Sequence, residues 1–147
     1  MIVQITNNTD VMEDQMNPIA DPNEINQWGI VVLRLGIGVV FLLHGYSKRK
    51  FRTMQPSEQL PSRMLSILRF LSVAEPLGGV ALVAGFLTWW ASLGLAIIMG
   101  GAIRLKALKM HKKFTDPDGW GYDFILLVAS IVLMLIGSGP WTVEQLF

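Results

Sequence analysis

Four long apolar segments alternate with polar stretches along this chain of 147 residues. They lie at about 28–46, 69–87, 89–106 and 122–139, and none has the period-2 alternation of a membrane β-strand. Each has close to the roughly 20 residues that an α-helix needs to cross a hydrocarbon core of about 30 Å. Because backbone groups in that core must bond within their own segment, the pattern predicts four transmembrane helices and an all-α fold.

The second and third segments are separated by only a few residues around Thr88. A connection this short forces an antiparallel helical hairpin, and the whole is predicted to be a four-helix up-and-down bundle over residues 28–147. Residues 1–27 form a polar, acidic N-terminal tail, which we treat as a separate unit. Within it, Asp21 and Pro22 look like a helix start, so the first helix is expected to begin before the membrane does.

The basic residues are unevenly distributed between the connections. Six of the twelve lysines and arginines lie between the first two segments, and five lie around the third-to-fourth connection. The remaining one, Arg34, is inside the first segment. Because cytoplasmic loops carry an excess of lysine and arginine, both basic connections are expected in the cytoplasm and both termini outside.

The composition of the chain argues against several classes of binding and catalysis. Hydrophobic residues make up 52% of the chain and charged residues only 16%, which argues against a nucleic-acid-binding domain. The chain has no cysteine, so thiolate nucleophiles, iron–sulfur clusters and cysteine-bound zinc are excluded. With only two histidines and no metal-ligand motif, we expect no metal site.

Five ionisable residues fall within or at the ends of the apolar segments: Arg34, His44, Glu75, Arg104 and Asp123. Such a residue costs a few kcal/mol or more near the bilayer centre, so each needs a partner or a function. Their depths suggest an ion pair between Arg34 and Glu75 in mid-membrane. Either this pair fixes the register of the helices, or it is a site for a polar head group with Glu75 handling protons.

Three of the five, His44, Arg104 and Asp123, lie near the predicted cytoplasmic ends of their segments. They could belong to an interfacial belt that anchors the helices at the head groups. Alternatively, they line a polar pocket at the mouth of the bundle, where His44 would donate or accept a proton. The residues alone leave both interpretations open.

Three stretches, RLGIGVVFLLHGYSK (34–48), AEPLGGVALVAGFLT (74–88) and GWGYDFILL (119–127), resemble the DoxX family of bacterial and archaeal membrane proteins. The match covers roughly residues 30–140 and leaves out the acidic tail. The family's characteristic positions fall on the following residues of this chain: Arg34, His44, Gly45, Lys48, Glu75, Gly78, Gly79, Trp120, Tyr122 and Asp123. The resemblance implies a multi-pass protein of the inner membrane that is linked to redox metabolism.

Two functions follow as expectations. One is a quinone-linked oxidoreductase subunit, since one DoxX relative is the large subunit of a thiosulfate:quinone oxidoreductase. His44, Glu75 and Asp123 would then be catalytic, and the other family positions together with Arg104 would bind the ligand; quinone would be bound non-covalently. The other is a non-catalytic accessory or assembly subunit of a larger respiratory complex, docked through the acidic tail. A transporter formed by a homo-oligomer is a weaker third alternative.

Overall fold

A computed structural model of the protein describes residues 22–58 and 60–143, and within it the side chains from Ile25 onward. Four α-helices follow one another: α1 (Pro22–Ser47), α2 (Ser62–Ala84), α3 (Thr88–Arg104) and α4 (Gly121–Ile136). A 3-10 helix (Lys48–Arg52) extends α1, and a π-helix (Leu105–Lys109) extends α3. No β-strand occurs in these two ranges, so the predicted all-α, four-helix fold is confirmed.

The helix boundaries differ from the apolar segments mainly at α2. This helix begins at Ser62, directly after Pro61 and seven residues before the predicted span at 69, and it bonds to the 3-10 helix of the preceding connection through Arg69 and Ser72. The start of α1 at Pro22 agrees with the helix-start pattern. The acidic tail predicted for residues 1–27 lies mostly outside the described residues, and its last six residues belong to α1.

The link between α2 and α3 is a tight hairpin of three residues. Gly85 has a φ of +66°, and its N–H donates to the carbonyl of Leu82 while that of Phe86 donates to the carbonyl of Ala81. These two bonds form the Schellman motif, in which a left-handed residue satisfies the last carbonyls of a helix. The hairpin defines one end of the bundle, called here the hairpin end; the two basic connections define the other, called the basic-loop end.

Glycines set how α1 and α2 pack. A Cβ on Gly38 would lie 2.9 Å from the carbonyl oxygen of Gly79, and one on Gly45 would collide with the ring of Pro76. Small residues allow the backbones of membrane helices to approach this closely. These contacts fix the axial position of α2 relative to α1, so that Gly45 lies beside Pro76.

The outer surface of the bundle is apolar. Leu135 is 75% exposed and Ile97 and Phe70 are each 67% exposed, whereas the core is a thin layer around Phe41, Leu82 and other buried side chains. α1, α2 and α3 with their extensions are long and apolar enough to cross a membrane, and α4 is a shorter apolar helix of 16 residues. At 1.5 Å per residue α4 is about 24 Å long, slightly short of a hydrocarbon core of about 30 Å.

Candidate functional site

Two ion pairs lie at the basic-loop end of the bundle. Lys48 Nζ is 2.5 Å from Glu75 Oε1, which joins the end of α1 to the middle of α2. Lys106 Nζ is 2.6 Å from Asp123 Oδ2, which joins the π-helix after α3 to the first turn of α4. The carboxylate side chains are 0% and 1% exposed, whereas the lysines are 17% and 27% exposed. Each buried acid is therefore neutralised by a cation that reaches toward the surface.

His44 brings the two pairs together. It projects from the last turn of α1 and lies within electrostatic range of Lys48, Lys106 and Asp123. Glu75 and Asp123 are close enough to each other to interact electrostatically as well. We call His44, Lys48, Glu75, Lys106 and Asp123 the polar cluster. All four helices or their extensions contribute to it, so a single site forms only when the whole bundle is assembled.

One oxygen of the polar cluster stands out. Glu75 Oε2 is buried and has no hydrogen-bond partner among the described residues, while Oε1 accepts from Lys48. Buried polar atoms in native proteins nearly always have a partner, and an exception needs an explanation. An acceptor in this position is suited to a proton or to a hydroxyl group of a ligand.

Tyr122 lies at the side of the polar cluster that faces lipid. Its ring centroid is 5.8 Å from that of His44, with the planes inclined by 35°. Tyr122 is 49% exposed, and His44 is partly exposed beside it. The two rings therefore mark an edge, between α1 and α4, where an apolar molecule dissolved in the bilayer could reach the polar cluster.

The structure contradicts the proposed pair of Arg34 and Glu75. The guanidinium of Arg34 donates to the carbonyl oxygens of Ser138 and Trp141 at 2.6 and 2.9 Å, and it lies beside Gly85 at the hairpin end. Glu75 is ten residues before Gly85, which is about 15 Å along α2. Depths read from hydropathy could not show this, because the sliding position of α2 depends on its glycine contacts with α1.

Arg104, which was expected to bind the ligand, lies outside the polar cluster. Ser92 and Ala96, at spacings of four along the same helix, are buried, but Arg104 is exposed, and Lys106 pairs with Asp123 instead. The cause is the geometry of the α-helix: each step of four residues turns about 40° around the axis, so Arg104 lies about 120° around the helix from Ser92. Lys106 belongs to the π-helix that follows, in which the N–H of Met110 donates to the carbonyl of Leu105. Sequence reasoning counted Lys106 only as a loop charge.

The remaining predicted positions lie at packing contacts. Gly45 and Gly79 lie where α1 meets α2, and Gly78 lies against Leu95 of α3. Trp120 packs edge-on against Phe114 and Phe124 rather than on the polar cluster. These four residues shape the bundle that surrounds the site.

The side chains of the site suit an organic ligand with oxygen atoms. Within residues 22–58 and 60–143, no three histidine, aspartate or glutamate side chains come together in a way that could hold a metal ion. The polar cluster instead offers ammonium donors, carboxylate acceptors and an imidazole that can do either. Such a set can hydrogen-bond a small ring that carries carbonyl or hydroxyl groups.

Comparisons with known proteins identify the family. The DoxX family model matches residues 29–112. A Bacillus subtilis protein named "Putative oxidoreductase CatD" is 32% identical over 122 residues, covering 79% of this chain and 84% of that relative. The "Uncharacterized membrane protein Rv3486" of Mycobacterium tuberculosis is 30% identical over 133 residues, covering 79% of each chain. No solved structure matches the chain. The sequence motifs, the helical membrane fold and these relatives together show that the chain belongs to the DoxX family.

Proposed function

We propose that this protein is the quinone-reactive subunit of a membrane oxidoreductase and that the polar cluster is the site where a quinone is reduced. The observation that carries the proposal is the buried Oε2 of Glu75, which has no hydrogen-bond partner among the described residues and lies within a group of acids, lysines and a histidine. Quinones dissolve in the bilayer, and the edge between His44 and Tyr122 gives access from that side. The name of the Bacillus subtilis relative supports an oxidoreductase in general terms.

The residues of the polar cluster have separate roles in this proposal. Reduction of a quinone to a quinol consumes two electrons and two protons. Glu75 and His44 donate the protons to the two carbonyl oxygens, and Lys48 lies within electrostatic range of both. The partly exposed Lys48 and Lys106 connect the buried acids to water at the basic-loop end, from which the protons are replaced.

The electrons come from outside this chain. The DoxX resemblance points to a reduced sulfur compound, such as thiosulfate, oxidised on a partner subunit. The chain has no cysteine, and its described part has no metal-binding group, so this proposal assigns the chain binding and proton transfer and not electron relay. Oxidative coupling of two thiosulfate ions to one tetrathionate releases two electrons, which balances the reduction of one quinone to a quinol.

The test uses the complex purified from its own membrane in mild detergent, with thiosulfate as donor and decylubiquinone as acceptor. We expect Glu75→Gln to lower the rate of quinone reduction at least 100-fold, because the variant keeps a hydrogen bond but cannot carry the proton. The matched control is Glu58→Gln, which changes an exposed carboxylate in the connection before α2. Turnover of Glu75→Gln equal to that of the control would refute the proposal.

A second function is favoured by the same ion pairs. Lys48–Glu75 joins α1 to α2 and Lys106–Asp123 joins α3 to α4, so both could simply hold the helices of a non-catalytic assembly subunit in register. In that case Glu75→Gln would weaken the fold or the association with partners, and the complex that still assembles would reduce quinone at the rate of the Glu58→Gln control. Size-exclusion chromatography of the variant complex beside the quinone assay separates the two functions.

A further inference from the structure

A second feature of the basic-loop end is an open groove of about 550 Å³ on the outer surface between α1 and α2. Its lining is largely apolar and includes Leu42, Leu43 and Pro76. Arg49 and Arg52 also line it, and no acidic residue does. A groove of this volume is within the range of about 300–1,000 Å³ typical of small-molecule sites.

The two arginines are held in place. Arg52 Nε donates to the hydroxyl of Ser72 at 2.9 Å and its NH2 donates to the carbonyl of Ser72 at 2.6 Å. These bonds use two of the five N–H donors of a guanidinium and leave the others to face a ligand. Arg49 lies over the ring of Tyr46, with its central carbon 3.9 Å from the ring centroid.

The groove opens sideways toward the acyl chains. Leu43 is 65% exposed and Tyr46 is 60% exposed on the surface that faces lipid. An occupant must therefore place an apolar chain on Leu43 and Pro76 and a negative group against the arginines. Guanidinium groups pair well with phosphate, and basic sites between transmembrane helices are typical sites for anionic lipid head groups.

We infer that this groove binds one anionic phospholipid, with its phosphate on Arg49 and Arg52 and an acyl chain along Leu43 and Pro76. The groove is separate from the polar cluster, since it lies on the outer face of α1 and α2 while Lys48 and Glu75 turn into the bundle. The lipid would stabilise the contact between the 3-10 helix and α2 at the position where Arg52 donates to Ser72. This inference does not depend on the proposed quinone reaction.

The test is native mass spectrometry of the full chain released from nanodiscs made of equal parts phosphatidylglycerol and phosphatidylcholine. We expect one phosphatidylglycerol to stay bound to each chain in preference to phosphatidylcholine. In the Arg49→Gln/Arg52→Gln variant its retention should fall about 10- to 30-fold, since each basic side chain near the head groups contributes about 1 kcal/mol. The control Lys112→Gln/Lys113→Gln loses the same charge from the other basic connection and should retain the lipid.

Two further variants keep the inference testable. If loss of the Arg52–Ser72 bonds unfolds the double variant, Arg49→Gln alone leaves those bonds intact and should still lower retention several-fold. Leu43→Trp fills the groove without changing charge, and it should also release the lipid. Equal retention in all variants, equal loss in the lysine control, or a second copy of the chain bound in place of lipid would each overturn the inference.

Discussion

Glu75 and Asp123 each place a carboxylate in a part of the bundle that has almost no contact with the surface, and each is paired with a lysine from a neighbouring element. Removing one partner of a buried pair leaves an uncompensated charge, which is far more costly than removing both. The two pairs therefore couple the stability of the bundle to the residues that the proposed reaction uses. Substitutions of single residues in the two pairs can separate their contribution to stability from their contribution to the reaction.

Lys48→Met should destabilise the protein by about 3–5 kcal/mol, since it leaves Glu75 buried without its cation. The double substitution Lys48→Met/Glu75→Gln should restore much of that loss because no charge is left unpaired. Thermal unfolding in detergent, followed by circular dichroism, measures both. Lys50→Met, at an exposed position in the same 3-10 helix, is the control. A double variant no more stable than Lys48→Met would show that the pair is not what stabilises this region.

Arg34 has a different role from the one its depth suggested. Its hydrogen bonds to the carbonyls of Ser138 and Trp141 hold the segment after α4 over the hairpin end, where Trp141 also packs edge-on against Trp28. Arg34→Lys keeps the charge but cannot span both carbonyls, so we expect it to lose one charge-assisted hydrogen bond and about 1.5–3 kcal/mol of stability. Carboxypeptidase should then shorten the variant faster than the wild type. Equal rates of digestion would contradict this assignment.

The candidate site residues were easier to predict from the sequence than the residues with which they pair. Burial cost alone singled out Glu75, Asp123 and His44, and the DoxX resemblance added Lys48. Pairing depends on how far one helix slides along another, which hydropathy does not specify. The expected Arg34–Glu75 pair was wrong for this reason, and the catalytic and binding roles of these residues stay predictions.

At the scale of the helices, the contact between α1 and α2 depends on glycine. A Cβ on Gly45 would overlap the ring of Pro76, whereas one on Gly36 would have nothing within 4 Å. We expect Gly45→Ala to cost about 1–3 kcal/mol through overpacking, and Gly36→Ala to be neutral or slightly stabilising through better helix propensity. Melting temperatures of the two variants in the same detergent test this. Equal melting temperatures would mean that α1 and α2 do not approach as closely as described.

The elements themselves follow closely from the apolar pattern. Four helices and the short link before Thr88 were predicted, because a segment in lipid has few alternatives to a helix. Two features were not visible in the pattern: the π-helix Leu105–Lys109 and the early start of α2 at Ser62. Both lie at the basic-loop end, where polar residues give no periodic signal.

For the whole molecule, the orientation in the membrane stays a prediction from the basic residues. The absence of cysteine makes it easy to test, since any introduced thiol is the only one. Thr53→Cys and Thr115→Cys, at exposed positions of the two basic connections, should be protected from a membrane-impermeant maleimide in intact spheroplasts. Asn26→Cys, at the exposed start of α1, should react. The opposite labelling pattern would place the polar cluster at the outer side of the membrane.

The central claim is that a quinone binds at the polar cluster, and photolabelling with an azido-quinone tests it most directly. The purified protein is irradiated with the analogue, with and without excess unlabelled quinone, and the labelled peptides are identified by mass spectrometry. We expect label on the peptides that contain His44 and Tyr122, lost in the presence of competitor and retained both in Glu75→Gln, which keeps a hydrogen bond to the quinone, and in Glu58→Gln. Label spread over the lipid-facing helices and insensitive to competitor would contradict it.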